Sequence, residues 1–204
     1  MAETPEFRFD PETHAGWLDG QQLPSVTGIL RDMGIVSYAD VPEAVLEQAR
    51  IRGEAAHHAI MLANEGTLDP ATVDEEIEPF LFGYEGFRAA TSFVPVFFEQ
   101  PLHDPALRFF GIPDAAGPVN GELAVVDFKA IEHLSQPSEV QLAAYKMLLR
   151  AAGYEVTKRY IVQLKRDGTY RLHPCTDHLD EAEWRSALFL WQRRAARNGG
   201  RRGP

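Results

Sequence analysis

Apolar positions along the chain keep a helical period in some stretches and form continuous runs in others. That contrast lays out the expected fold. From Pro42 to Gly66 they recur at Val45, Ala49, Ala56, Ile60 and Ala63, the spacing of one helix face. Proline is tolerated in a first helical turn, Glu43 and Glu47 suit the positive end of the helix dipole, and Gly66 supplies a stop. A second helix is expected over 71–91, carrying Phe80, Tyr84 and Phe87. Apolar runs then predict strands over 93–102, 108–115 and 122–131. A helix follows over 138–152 and ends at Gly153. Strands over 155–165 and 170–173 flank the turn Asp167-Gly168, and a last helix covers about 180–197. Residues 1–41, with Pro5, Pro11, Pro24 and several glycines, read as a loop-rich entry with one short helix near 26–33. No internal repeat is present. The order predicts an α/β (α+β) fold with a central mixed sheet flanked by helices. The main domain spans 42–197, and 198–204 form a basic tail expected to be disordered.

Candidate chemistry concentrates between Pro113 and Tyr145. Asn120-Gly121 is the strongest short-range signal for a type I′ hairpin turn. With that turn Val119 faces Glu122, and counting back along both strands sets Asp114 opposite Asp127. Opposed carboxylates repel and destabilise a sheet. A hard divalent cation between them reverses the sign. Lys129, two residues after Asp127, points to the same face. The plain alternative is an exposed hairpin with solvated charges. Against it, Phe109-Phe110-Gly111-Ile112 runs into Asp114 and Ala124-Val125-Val126 runs into Asp127, so both acids follow interior-looking strands.

Composition narrows the classes. The 204 residues suffice for one domain with a full core, and 45% apolar with 25% charged residues is ordinary for a globular protein. The single cysteine, Cys175, excludes an internal disulfide and any four-cysteine zinc or iron–sulfur site. No apolar run approaches a membrane span, and Met1 to Asp10 is acidic and polar rather than leader-like, so no membrane and a cytoplasmic location are expected. The net charge of −10 counts against a broad nucleic-acid-coating surface, although a narrow basic groove can still serve one strand. Arg193, Arg194, Arg197, Arg201 and Arg202 have no acid among them and are read as a solvated tail rather than a phosphate site.

Gly111-Ile112-Pro113-Asp114, then Val125-Val126-Asp127-Phe128-Lys129, then Gln141-Leu142-Ala143-Ala144-Tyr145 resembles the PD-(D/E)XK nuclease superfamily. Within it, the ordered set is similar to the RecB-type exonuclease branch, over about residues 50–165. Ala130 departs from the Thr or Ser often found there. The resemblance implies a restriction-endonuclease-like core and a metal-dependent DNA nuclease, most simply an exonuclease in DNA recombination, repair or phage DNA metabolism. It implies Mg²⁺ or Mn²⁺ as cofactor. Asp114 and Asp127 are then ligands with catalytic roles, the Phe128 carbonyl is a further ligand, and Lys129 is the catalytic cation. It also implies DNA as partner, with a single-strand annealing or recombination protein and a homo-oligomer as further expected partners. The competing expectation is a non-catalytic DNA-binding or scaffolding module of the same fold. No G-x-x-x-x-G-K-[ST] motor motif occurs.

The remaining site residues follow from the same resemblance. Arg52-Gly53-Glu54-Ala55-Ala56-His57 is similar to an R-G-x-x-x-H helix whose histidine is an additional metal ligand; the spacing from Gly53 selects His57 over His58. Neighbouring helix positions face about 100° apart, so only one of the two fits. Arg52 joins as a supporting residue. Glu99, at the end of an apolar run, resembles an additional acidic metal ligand, against the reading of a surface acid. Gln141 and Tyr145, four apart on one helix face, would support the ligands or touch the DNA backbone.

Overall fold

Where the sequence suggested loops, β1 (Phe7–Asp10), β2 (Ala15–Leu18) and β3 (Gln21–Leu23) form an antiparallel sheet in order β1-β2-β3. The computed structural model describes residues 6–36, 41–131 and 139–199. The β2–β3 turn is Asp19-Gly20, both residues at positive φ (51° and 75°), the conformation that an Asp-Gly hairpin turn favours. Phe7, Phe9, Leu18 and Leu23 fold this sheet over Phe110. The helix α1 (Val26–Asp32) follows, capped by the Ser25 hydroxyl, which accepts from the Gly28 N–H.

The helix α2 (Glu43–Glu65) lies where expected and stops at Gly66 in the left-handed conformation (φ 70°). The next helix is shorter than expected. Pro70–Thr72 form one 3-10 turn, and α3 covers only Glu78–Thr91. Pro79 explains the late start, because proline fits only the first turn of a helix. The Asp69 and Asp74 side chains also turn back onto the amides of Ala71 and Glu76 and hold the approach out of the helix.

The two expected strands over 93–102 and 108–115 are each broken. The first yields β4 (Phe97–Phe98) and β5 (Leu102–Asp104), separated by Glu99 at φ 39° and Pro101. The second yields β6 (Phe109–Gly111) and β7 (Ala115–Val119), separated at Pro113. β5 and β6 pair with each other in a separate two-stranded sheet. The long strand β8 (Glu122–Ala130) returns from the Asn120-Gly121 turn with Val119 opposite Glu122, the expected register. The helix α4 (Glu139–Ala151) then crosses over to β9 (Lys158–Leu164), which runs parallel to β8, and β10 (Tyr170–Pro174) closes that edge. The main sheet is mixed, in order β10-β9-β8-β7-β4. The last helix, α5 (Asp180–Gly199), extends beyond the expected end at 197. Ser138 and residues 200–204, with Arg201 and Arg202, lie outside the described residues.

Helices cover both faces of the main sheet. On one side Ala124, Val126, Phe128, Val162 and Leu164 pack against α2 and α3 through Ile60, Phe80, Tyr84 and Phe87. On the other, Val125 and Ile161 join a core with α1, α4 and α5 that includes Leu148 and Trp184. This is the expected central mixed sheet flanked by helices. Among the described residues no helix is long and apolar enough to cross a membrane.

Two glycines of the sequence motifs differ in what surrounds them. A Cβ on Gly111 would lie 2.9 Å from the Tyr145 ring, 3.0 Å from Val26 and 3.1 Å from Leu148, all in the core. A Cβ on Gly53, in α2, meets nothing within 4 Å. Gly111→Ala is expected to lose roughly 1–3 kcal/mol of stability through overpacking. Gly53→Ala is expected to gain about 0.5–1 kcal/mol from helix propensity. Urea unfolding of the two variants checks both signs.

Candidate functional site

Strand alternation sends neighbouring residues of β8 into different layers. Phe128 and Ala130 enter the α2/α3 core, while Asp127 and Lys129 share the side of Val125, toward α4. Asp127 is 1% exposed. The Lys129 ammonium donates to its Oδ1 at 3.0 Å and lies 2.8 Å from Oδ2. Both carboxylate oxygens are thus within reach of the one ammonium.

The pair balances burial against charge. Burial raises the Asp127 carboxyl to about 6, Lys129 opposes the rise and Asp114 adds to it. Burial alone would lower the Lys129 ammonium, but the Asp127 and Asp114 carboxylates hold it above its ordinary value. At neutral pH both partners are therefore ionised. The Tyr145 hydroxyl is raised by burial and then by the Asp114 carboxylate.

Asp114 precedes β7 by one residue, and its Oδ2 accepts from the Phe128 N–H at 2.8 Å. Continuing the observed pairing of Ala115 with Val126 by one step brings it level with Asp127. The expected juxtaposition of two carboxylates and an ammonium is thus present. Asp114 is anchored to the backbone of the residue after Asp127.

His57 reaches this end of the sheet from the opposite layer. Its Nδ1 is 3.1 Å from Glu99 Oε1, its Nε2 is 2.9 Å from the Phe128 carbonyl oxygen, and the same Nε2 is 3.7 Å from Asp114 Oδ2. Burial on its own pushes the imidazole down. The Asp114 charge, the Glu99 hydrogen bond and the Phe128 carbonyl outweigh it and hold the ring at about 9. His57 is therefore an imidazolium at neutral pH that donates through both nitrogens. His58 is exposed and lines a different cleft with Ala55 and Leu62. Glu99 sits at φ 39°, a left-handed conformation that costs a non-glycine residue energy, and its own N–H donates to the Asp114 carbonyl. Its side chain and its backbone therefore tie His57 to Asp114.

The supporting residues act on backbone and ring rather than on the carboxylates. Arg52 Nε donates to the Ala130 carbonyl at 3.2 Å, one residue beyond Lys129. Gln141 Nε2 donates to the Tyr145 hydroxyl at 2.9 Å, and Tyr145 fills the space that Gly111 leaves open. One further residue was not anticipated. Gln163, opposite Lys129 in the parallel pairing, donates to the Ile131 carbonyl at 3.1 Å and accepts from His173 at 3.0 Å, which fixes the exit of β8. A lone amide within Ile161-Val162-Gln163-Leu164 was its sequence signal.

The fit to a divalent cation is partial. The Asp127 and Asp114 carboxylates and the Phe128 carbonyl are hard oxygen donors of the kind Mg²⁺ and Mn²⁺ take. Among the described residues, however, no three His, Cys, Asp or Glu side chains converge as a ready-made metal group. His57 has both ring nitrogens engaged. The oxygen donors fit such an ion; His57 would join them only after releasing its proton and its carbonyl partner.

Comparison with known proteins adds no identity: no protein-family model matches the chain, and no curated protein sequence matches it.

The His57 geometry has a measurable consequence for stability. Its folded value of about 9 lies above the ordinary 6.5, so its contribution is fully present below pH 6.5 and is lost as pH rises through 9. In chelator, the stability gap between wild type and His57→Gln is expected to be largest near pH 6 and to shrink by roughly 1–3 kcal/mol by about pH 10. Urea unfolding across that range measures it.

Proposed function

We propose that the chain is a divalent-metal-dependent DNA nuclease of the PD-(D/E)XK kind, close to its RecB-type branch, and that it acts as an exonuclease. One observation carries the reading. A fully buried carboxylate, Asp127, is brought level with a second carboxylate, Asp114, with the Lys129 ammonium beside it. Two carboxylates brought level in a sheet repel each other, and a divalent cation between them reverses that sign.

Asp114, Asp127 and the Phe128 carbonyl would hold Mg²⁺ or Mn²⁺, with Glu99 adjacent through His57. Once bound, such an ion supplies a Lewis acid for the phosphodiester and acidifies water. The raised ammonium of Lys129 suits it to stabilise negative charge developing on the phosphate and to orient water, rather than to take a proton. Gln141 and Tyr145 hold the α4 side of the centre, and Arg52 holds the end of β8.

A second reading, a non-catalytic DNA-binding module, is favoured by one observation. His57 and Lys129 already neutralise the acids without a metal. The two readings separate in one assay. Linear duplex, linear single-stranded and circular DNA are incubated with Mg²⁺ or Mn²⁺ and wild type or Lys129→Ala. On the nuclease reading wild type degrades linear DNA and spares circles, Lys129→Ala is slower by at least about a hundredfold, and Mn²⁺ raises the melting temperature of both. If wild type cuts nothing while Mn²⁺ still stabilises it, the enzyme reading fails and the binding module takes its place.

A further inference from the structure

The charges around Asp127 are sorted by strand. Asp114 leads into β7 and Glu99 follows β4, so both acids lie on one side of β8. On the other side the sheet continues through β9 to β10, its open edge. Side chains of residues paired across strands share a face, so the register decides which groups follow the centre outward. Lys129 is level with Gln163, and Gln163 with Arg171. Asp127 is level with Ile161, and Ile161 with His173. Tyr170 and Leu172, which alternate with them, pack on the α2/α3 core. Arg171 and His173 therefore stand on the face that carries Asp127 and Lys129. From Lys129 to Arg171 is two strand spacings, about 10 Å.

This row is fixed in place and open to solvent. Gln163 donates to the Ile131 carbonyl and accepts from His173, which ties the exit of β8 to β10. Burial and then the Arg171 guanidinium hold the His173 imidazole below its ordinary value, so the charge here belongs to other groups. Arg171 is exposed, and Lys165, two residues after Gln163 on the same face, is half-buried. Neither makes an ion pair or a side-chain hydrogen bond among the described residues. The other cations of β9 and its following turn are matched: Lys158 with Glu122, Arg159 with Asp180 and Arg166 with Glu76. Two acids are near the row. Glu139 at the start of α4 acts on His173, and the Asp167 carboxylate is taken up by Thr169. In a chain of net charge −10, two cations are thus left unmatched in line with Lys129. A single phosphate at the centre has no use for a guanidinium so far off. An anion that repeats does, and a phosphodiester backbone is one.

From this register we propose that the nucleic-acid backbone runs from the Asp127 centre across β9 to the β10 edge, with Arg171 and Lys165 contacting phosphates that flank the scissile one. The inference rests on the nuclease reading for the class of polymer and names the path of that site's substrate. The opposite path, past Asp114 and Glu99, would carry the phosphates toward two acids.

The test pairs fluorescence anisotropy of a labelled DNA oligonucleotide in chelator with single-turnover cleavage of the same DNA in Mn²⁺. Wild type is compared with the double variant Lys165→Gln/Arg171→Gln, with Arg171→Lys, and with Arg193→Gln, an exposed arginine of α5 that serves as the control for general charge. The double variant is expected to weaken binding roughly tenfold or more and to reduce its salt dependence by about two phosphate contacts. It should raise the half-saturating DNA concentration by a similar factor while the saturated rate stays within about twofold, whereas Lys129→Ala loses the saturated rate. Arg171→Lys, which keeps the charge, should retain most of the affinity, and Arg193→Gln all of it. Cleavage by wild type with a half-saturating concentration that the double variant leaves unchanged overturns the path and spares the nuclease. An equal loss in Arg193→Gln also overturns it, because the attraction is then general. Binding by wild type that falls in the double variant alone, with no protein cutting DNA, removes the nuclease and leaves the row as a binding surface. Neither binding nor cleavage by wild type removes both.

Discussion

An ionised carboxylate buried at the middle of a sheet is the constraint around which the rest of the structure is arranged. An unpaired charge in such a place costs several kcal/mol, and Lys129 is the only group that meets Asp127 within hydrogen-bond reach among the described residues. The pair needs a wall, which α4 provides through Tyr145. Tyr145 in turn needs the missing side chain of Gly111 and the amide of Gln141. It also needs a strand that ends in a defined place, which Arg52, His57 and Gln163 secure by holding the carbonyls of Ala130, Phe128 and Ile131.

The centre joins two helix layers that the sheet otherwise keeps apart. Asp127 and Lys129 face α4, whereas His57 and Arg52 come from α2 and hydrogen-bond to the backbone of β8, with the His57 ring edge-on to Phe128. The Phe128 amide and carbonyl carry the connection: one donates to Asp114 and the other accepts from His57. A change in the protonation of His57 is therefore felt directly by Asp114, 3.7 Å away, and one peptide unit away by Asp127.

Much of this was legible from short-range rules, and the failures have local causes. Asn120-Gly121 gave the hairpin and its register, and hence the level of Asp114 and Asp127. The same rule applied to Asp19-Gly20 would have found β2 and β3; prolines on either side made the segment look like a loop. Pro79 should have moved the start of α3, because ring geometry outranks an aromatic period. The break at Glu99 was not readable. Its positive φ is imposed by bonds to His57 and Asp114, residues distant in sequence. His57 was chosen over His58 by motif spacing, and the helix turns that side chain inward. That both its nitrogens are taken depends on tertiary geometry and left no trace in the sequence.

The apolar lettering of β8 leaves one question open that its charges answer. Ala124, Val125 and Val126 are buried on both faces of the sheet, so sliding the strand by one residue against β9 would exchange small apolar groups for one another at little cost. The same slide would drive Asp127 and Lys129 among Phe80, Tyr84 and Phe87, where no partner waits for either. The ion pair therefore makes the misaligned sheet far more costly than the aligned one. The residues proposed for chemistry are also what allows this strand only one alignment.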